Sequence, residues 1–489
     1  MQIANKSIPV ATEPNLVEPN LPAPNLPDKI LENHSFTQLW NMNFGFLGIQ
    51  FAWGLQMANM SAIFEYLGAS AEQLPLLWLA APITGLVIQP IVGNLSDRTW
   101  TFLGRRKPYF LVGAILAAVA LILIPQVSTL WEAVALLWLL DSSNNLSMVP
   151  FRAFIADLLP PKHQTKGFAM QTIMVGMGAI AASSLPWILS HIFNVNEARG
   201  RFSQIPSSHI PKAIAISFQI GAVLFLATIL WTIITTPEHP PSDQERLDKF
   251  QKEQIQGDLD GLNGVINHEI IYGIIQSIHA TWQILKNIPP RMKQLARVQF
   301  FSWLGAFCFF LYFTPAVAHN IFGAEIRSSQ LYIEGVEWAG LCFALFNGVC
   351  VLFTWFLPRI AAKIGQAKTH GLCLLCGGIS LVMTGGISNQ YLLLVMMVGW
   401  GIAWSSMLTM PYAILSRSIP DQNQGIYQGI FNFYIVIPEI AVALGMGWIM
   451  HHFLQDNCLS AVLLGGVFLT VAAGLTLLIK SDFEAETLT

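Results

Sequence analysis

Long apolar runs alternate with short polar breaks along the whole chain. Twelve of the runs reach spanning length, near 38–64, 74–96, 107–126, 131–159, 165–193, 212–235, 296–321, 336–358, 369–387, 390–416, 424–452 and 458–480. About 20 apolar residues in a helix cross a hydrocarbon layer of roughly 30 Å, so each run predicts a transmembrane helix. Between the sixth and seventh lies a polar stretch that opens with TTPEHPPSDQER. Six spans, a charged loop and six more spans predict an all-α membrane protein of twelve transmembrane helices in two six-helix bundles. A binding site is expected between the bundles near the midplane. The boundaries follow: a disordered tail over 1–36, a first bundle over 37–235, a central loop over 236–295, a second bundle over 296–480 and a tail over 481–489. Residues 1–36 are polar and rich in Pro and Asn, without the basic start and apolar core of a secretory leader.

Composition agrees with the pattern. Of the 489 residues, 54% are apolar and 11% charged, against about 25% charged in soluble domains. The net charge of -3 leaves no electrostatic footprint for nucleic acid. Lys and Arg concentrate in the loops of one side, which places both termini and the central loop in the cytoplasm. The expected location is the cell inner membrane, as a multi-pass monomer. Within the central loop, 265–295 spaces apolar residues among Lys286, Arg291 and Lys293, the pattern of a surface-lying amphipathic helix. Cys373 and Cys376 form a CxxC inside a predicted span, and without redox or zinc context they read as small packing residues. No HExxH or GxSxG occurs, so the chain reads as neither a zinc hydrolase nor a serine hydrolase, and no metal or cofactor is expected.

The stretch Leu136–Leu159, LLWLLDSSNNLSMVPFRAFIADLL, carries the candidate chemistry. A charge at the centre of a spanning helix costs roughly 2.5–3.5 kcal/mol on insertion scales, so such residues usually face a wet cavity and have a task there. At about 100° per residue, Asp141 and Arg152 lie within roughly 20° of one helix face and on the order of 16 Å apart, too far for an ion pair. Asp141 is the candidate proton carrier. Its bland alternative is a carboxyl bonded to Asn144 or Asn145 and serving packing alone. Arg152 stays charged and is the candidate hydrogen-bond donor, against the alternative of a snorkelling residue at a helix end. Glu439, next to Pro438 in the eleventh segment, is either a second coupling acid or a locally neutralised one.

In the first segment, Gln50, Trp53 and Gln56 recur at i, i+3, i+6 and make one polar, aromatic face. Amides and an indole suit a neutral hydroxylated ligand better than an ion, while helix–helix hydrogen bonding is the plain alternative. Glu334 and Glu337 read as solvated charges at the mouth of the eighth segment. Trp303, Trp338, Trp400 and Trp404 divide between interfacial belt and ligand stacking, and the pattern does not assign them.

The loop GNLSDRTWTFLGRRKPYF contains Gly93, Asp97, Arg98, Gly104, Arg105 and Arg106. Gly-x-x-x-Asp-Arg followed by Gly-Arg-Arg resembles the signature loop between helices 2 and 3 of the major facilitator superfamily. The resemblance implies the major facilitator fold, and an inner-gate role for these residues; Asp157, two helical turns below the centre of its segment, reads as part of the same gate. GIQFAWGLQ, GLVIQPIVGNLSDR, LDSSNN…PFRAFIADL and GIYQGIFNFYIVIPEI then occur in the order and spacing of the sucrose–proton symporter family, from about residue 40 to 450. That resemblance implies a proton-coupled sugar symporter, with the sugar, the proton and the bilayer as partners. It places Asp141 at the proton-accepting carboxylate and Arg152 at the essential arginine of helix 4. Asn144 and Asn145 fall at the paired asparagines, and Gln50 and Trp53 in the helix 1 segment of the sugar cavity. The plant FDTDW element is replaced by LYFTPAVA, with Phe313 and Pro315, and the plant histidine after helix 1 is missing. Both departures point to the bacterial, glycoside–pentoside–hexuronide/cation symporter-like branch and to α-glucosides such as maltose. A drug or lipid exporter of the same fold would want a more apolar cavity, and a non-transporting sugar sensor would need an output module.

Overall fold

The computed structural model describes residues 35–98, 100–159, 161–195, 210–238, 290–416 and 424–479. The expected tails, apart from the first turn of the first helix, and nearly all of the expected surface helix over 265–295 lie outside the described residues. Apart from one isolated bridge between Thr101 and Gly104, every regular element among the described residues is helical.

The first half comprises α1 (Phe36–Tyr66), the short α2 (Leu74–Leu77), α3 (Ala80–Arg98), α4 (Lys107–Leu123), α5 (Leu130–Leu158), α6 (Pro161–His191) and α7 (Lys212–Thr235). The second half comprises α8 (Pro290–Ala316), α9 (Gln330–Thr354), the short α10 (Leu357–Ile364), α11 (Gln366–Met383), α12 (Gln390–Ser416), α13 (Gln424–Phe453) and α14 (Cys458–Thr476). Ten of the helical stretches are long and apolar enough to cross a membrane. The helices α1 and α5, with 31 and 29 residues, have the length but carry the polar groups singled out above. Their starts are fixed locally by capping boxes, Ser35 with Gln38 and Thr129 with Glu132.

Three boundaries differ from the hydropathy reading. The second segment breaks near Trp78, whose indole N–H donates to Ser61 Oγ at 3.0 Å. The seventh is already helical at Pro290, six residues before its expected start. The eighth begins six residues early, at a cap from Ser329, so Glu337 is not a solvated charge. It is 1% exposed and lies 3.6 Å from His191 Nδ1. Glu334 stays partly exposed and accepts from Gln330 at 3.4 Å.

Inside a bilayer, helices associate through close packing of small residues rather than through water exclusion. A Cβ on Gly48 of α1 would come 2.7 Å from the Phe225 Cα of α7, and one on Gly305 of α8 would come 2.5 Å from the Gly465 carbonyl oxygen of α14. These contacts leave no room for a methyl group.

One end of the molecule gathers the start of α1, the end of α7 and the start of α4: Trp231 Nε1 donates to Asn41 at 3.1 Å, and Lys107 Nζ to the Ile233 carbonyl at 3.1 Å. This is the linker end, from which the chain leaves toward residues 239–289. The far end joins the two halves of the chain. Thr314 Oγ1 donates to the Ala58 carbonyl at 2.9 Å, and the Tyr312 hydroxyl to the Ala71 carbonyl at 3.2 Å. Gly48→Val is expected to lower the melting temperature in detergent through an overpacking cost of about 1–3 kcal/mol. Gly386→Ala, whose Cβ would meet nothing within 4 Å, is expected to leave it unchanged.

Candidate functional site

Asp141 lies near the middle of α5 and is 1% exposed. Its Oδ1 accepts from Gln56 Nε2 of α1 at 2.8 Å, and its Oδ2 has no hydrogen-bond partner. Neither Asn144 nor Asn145 bonds the carboxyl. Asn145 instead turns to α3: its Oδ1 accepts from Gln89 at 2.7 Å, while its Nδ2 donates to Thr84 Oγ1 at 3.3 Å and to the Asp141 carbonyl at 2.9 Å. Asn144 is buried with both side-chain polar atoms unpartnered. Gln50 and Trp53 are partly exposed on the same helix as Gln56.

The second half supplies Glu439 and Tyr412. Glu439 on α13 is close enough to feel the charge of Asp141 across the two halves. Arg152, near the end of α5, interacts electrostatically with Tyr412 of α12. Arg152 and Tyr412 are both solvent-accessible. Prolines sit beside the key groups: Pro150 before Arg152, Pro411 before Tyr412 and Pro438 before Glu439. Each removes one backbone N–H and favours a kink there, which frees a carbonyl at membrane depth.

The second half also holds an aromatic cluster. Trp404 stacks on Trp400 at 6.0 Å and meets Trp303 edge-on at 5.8 Å and Phe310 at 5.1 Å. The indole N–H groups of Trp303 and Trp400 are buried without partners. Trp338 is separate, donating to the Gln390 carbonyl at 3.0 Å. Phe313 is buried against Phe309 with ring centroids 4.6 Å apart.

At the linker end, Arg106 is 4% exposed; its Nε donates to Asp157 at 3.0 Å and its Nη1 to Ser96 at 2.7 Å. Gly104 has φ +115, and a Cβ there would collide with the Glu238 carboxylate. That carboxylate accepts from the backbone N–H of Arg105 at 2.8 Å and of Arg106 at 3.1 Å. Gly93 lies in α3. The side chains of Asp97 and Arg98 lie outside the described residues.

Sequence reasoning did not find Glu238, Gln89, Thr84 or Tyr412 as partners. Gln89 was a lone amide in an apolar run, and Glu238 an ordinary acid in a charged loop. Neither had a periodic pattern to mark it. Charge-assisted hydrogen bonds are each worth about 1.5–3 kcal/mol. Glu238→Ala is therefore expected to raise amide hydrogen exchange over residues 101–106 by roughly tenfold or more, read by mass spectrometry.

Comparison with known proteins follows the same lines. The sequence matches the model of the Major Facilitator Superfamily over residues 42–443. The sucrose transport protein SUC3 of Arabidopsis thaliana is 25% identical, covering 82% of this chain and 80% of the relative. The sucrose transport protein SUT5 of Oryza sativa subsp. indica is 24% identical, covering 88% and 85%. Among solved structures, the nucleoside transporter NupG superposes with a TM-score of 0.63 at 15% identity, over 91% of this chain and 99% of that one. A POT family transporter in complex with 5-aminolevulinic acid gives 0.63 at 13%, over 92% and 98%. These relatives are transport proteins, not enzymes, and with the family match over most of its length this multi-pass membrane chain belongs to the Major Facilitator Superfamily.

Proposed function

We propose that the chain is a proton-coupled symporter that imports a disaccharide or α-glucoside by alternating access. The observation that carries this reading is Asp141: a buried carboxyl with one oxygen held by Gln56 and the other unpartnered, within electrostatic reach of Glu439. A proton on the free oxygen would remove the charge of the buried carboxyl, and loss of that proton would leave a charge that only a rearrangement can answer. Asp141 is thus the proton carrier, and Arg152 the cavity donor that meets sugar hydroxyls. Gln50, Trp53, Gln56, Asn144 and Asn145 complete the polar wall, with Glu439 as the second coupling acid.

The ten apolar stretches together with α1 and α5 make twelve spans, grouped as two six-helix bundles with both termini cytoplasmic. Arg105, Arg106 and Asp157, with the loop signature Gly93, Asp97, Arg98 and Gly104, form the gate on that cytoplasmic side. The expected setting is the inner membrane of a cell, with the protein acting as a monomer.

Sugar choice rests on two unequal supports. The buried aromatic Phe313 and the helical Pro315 stand where plant carriers have acids, which favours maltose and the bacterial branch. The plant relatives named above favour sucrose. A drug or lipid exporter is the weaker alternative, because the unpartnered Asn144 amide and the accessible Arg152 make a polar cavity. A non-transporting sensor has no output module among the described residues.

The test is uptake of labelled maltose, then sucrose, into proteoliposomes with and without an inward proton gradient. Wild type is expected to accumulate sugar above equilibrium only with the gradient. Asp141→Asn is expected to lose accumulation and keep sugar exchange. Equal accumulation by both proteins would overturn the role of Asp141, and gradient-independent uptake by wild type would overturn symport.

A further inference from the structure

The far end contains a buried acid that the mechanism above does not use. Glu65, in the last turn of α1, is 2% exposed. Its Oε2 faces two groups from the second half: the Tyr332 hydroxyl of α9, and His319 Nε2 at 3.0 Å from the turn that follows α8. Arg327 donates to the Glu65 backbone carbonyl at 3.4 Å rather than to its carboxylate.

The second imidazole nitrogen decides the proton count. His319 Nδ1 lies 2.7 Å from the Ala324 carbonyl oxygen. A carbonyl only accepts, so Nδ1 carries a hydrogen and donates it. Nε2 then bears a lone pair unless the ring is an imidazolium. A lone pair 3.0 Å from a carboxylate oxygen is repulsive. The contact therefore needs one proton between the two atoms, on Nε2 or on Oε2. Separated, a neutral histidine and an ionised glutamate need none.

We propose that Glu65 and His319 together form a second proton-binding site, whose proton ties the two halves and holds the far end shut. Closing that end takes up one proton from the adjacent solution, reached through His319, whose side chain is 25% exposed. Opening returns it. No other bond forms or breaks. By linkage, acid favours the closed end and alkali weakens it. Tyr332 adds a hydrogen bond across the same joint in either protonation state. This inference rests on the alternating-access reading, in which the far end must open in every cycle.

Other titratable groups face this site. On α1, Tyr66 lies edge-on to the Tyr332 ring at 5.2 Å. From α9, Glu337 interacts with Tyr66 and lies 3.6 Å from His191 of α6. Cys458 of α14 feels Glu65, Arg327 and Asp456. Asp456 itself pairs with His451 at 3.3 Å, both partners being largely exposed. The rival source of a pH response is therefore the His191–Glu337 pair.

The experiment places nitroxide labels at Glu72→Cys and Ile326→Cys in the full chain, with Cys376→Ser, in lipid vesicles without sugar. Distances across the far end are read by pulsed electron resonance from about pH 5 to about pH 8. Wild type is expected to shift from short to long distances as pH rises, with the open-to-closed ratio changing roughly tenfold or more, as for loss of one bound proton over a pH unit. His319→Gln donates from an amide at every pH and is expected to stay closed with a flat profile. Glu65→Gln is also expected to be flat, and Tyr332→Phe to be more open with the slope retained. His191→Gln is expected to match wild type. A flat wild-type profile, or a slope that survives His319→Gln or vanishes with His191→Gln, would overturn the site. Since no sugar is used, the expected profile without proton-driven uptake would sink the symport reading and leave the latch standing. Uptake with no pH response in the distances would do the reverse.

Discussion

An acid placed inside a bilayer-spanning helix is tolerable only if something answers its charge, and Asp141 has one hydrogen-bond donor, the Gln56 amide at 2.8 Å. That contact exists because α1 is drawn close to its neighbours. Glycine at position 48 lets its backbone meet α7, and the glycine at 178 of α6 brings a second backbone so close that a Cβ there would lie 2.5 Å from the Leu47 carbonyl oxygen. With α1 held from both sides, Gln56 reaches α5 and one carboxyl oxygen is satisfied. The other oxygen depends on a proton, a water or the opposite half of the chain, where Glu439 adds its own demand for neutralisation. The polar track through the molecule is organised by that unfinished pairing.

The two ends solve different problems with similar groups. At the linker end, Arg106, Asp157, Ser96 and Glu238 bond within the first half of the chain. They stiffen the loop between α3 and α4. At the far end, Glu65, His319, Tyr332, Thr314 and Tyr312 bond across the halves. Any rearrangement that opens this end must give those bonds up. Arg152 and Tyr412, toward the linker end, are solvent-accessible.

The helices were legible because a bilayer leaves a chain little choice: every backbone polar group must be bonded internally, so a long apolar run becomes a helix. Breaks were less legible. Glu337 made the start of the eighth segment look solvated, yet the helix begins at Gln330 and buries that acid beside His191. Hydropathy prices a charge by type, whereas its cost depends on a partner that arrives from elsewhere in the fold. The same limit applied at Asn145. Its partners Gln89 and Thr84 come from α3, and no periodicity in α3 announced them.

The sequence alone determined the all-helical membrane character, the polar face of α1, and the single stretch in which an acid, two asparagines and an arginine share a span. Those properties are local, set by composition and by the angular step of a helix. Tertiary structure decided which of the groups meet. It paired Asp141 with Gln56 rather than with its own helix, and set Arg152 beside Tyr412. It also assembled Glu65 and His319, residues 254 positions apart, into one joint. A partner across such a separation is fixed by how whole helices pack, and that information is spread over many small contacts rather than written at either residue.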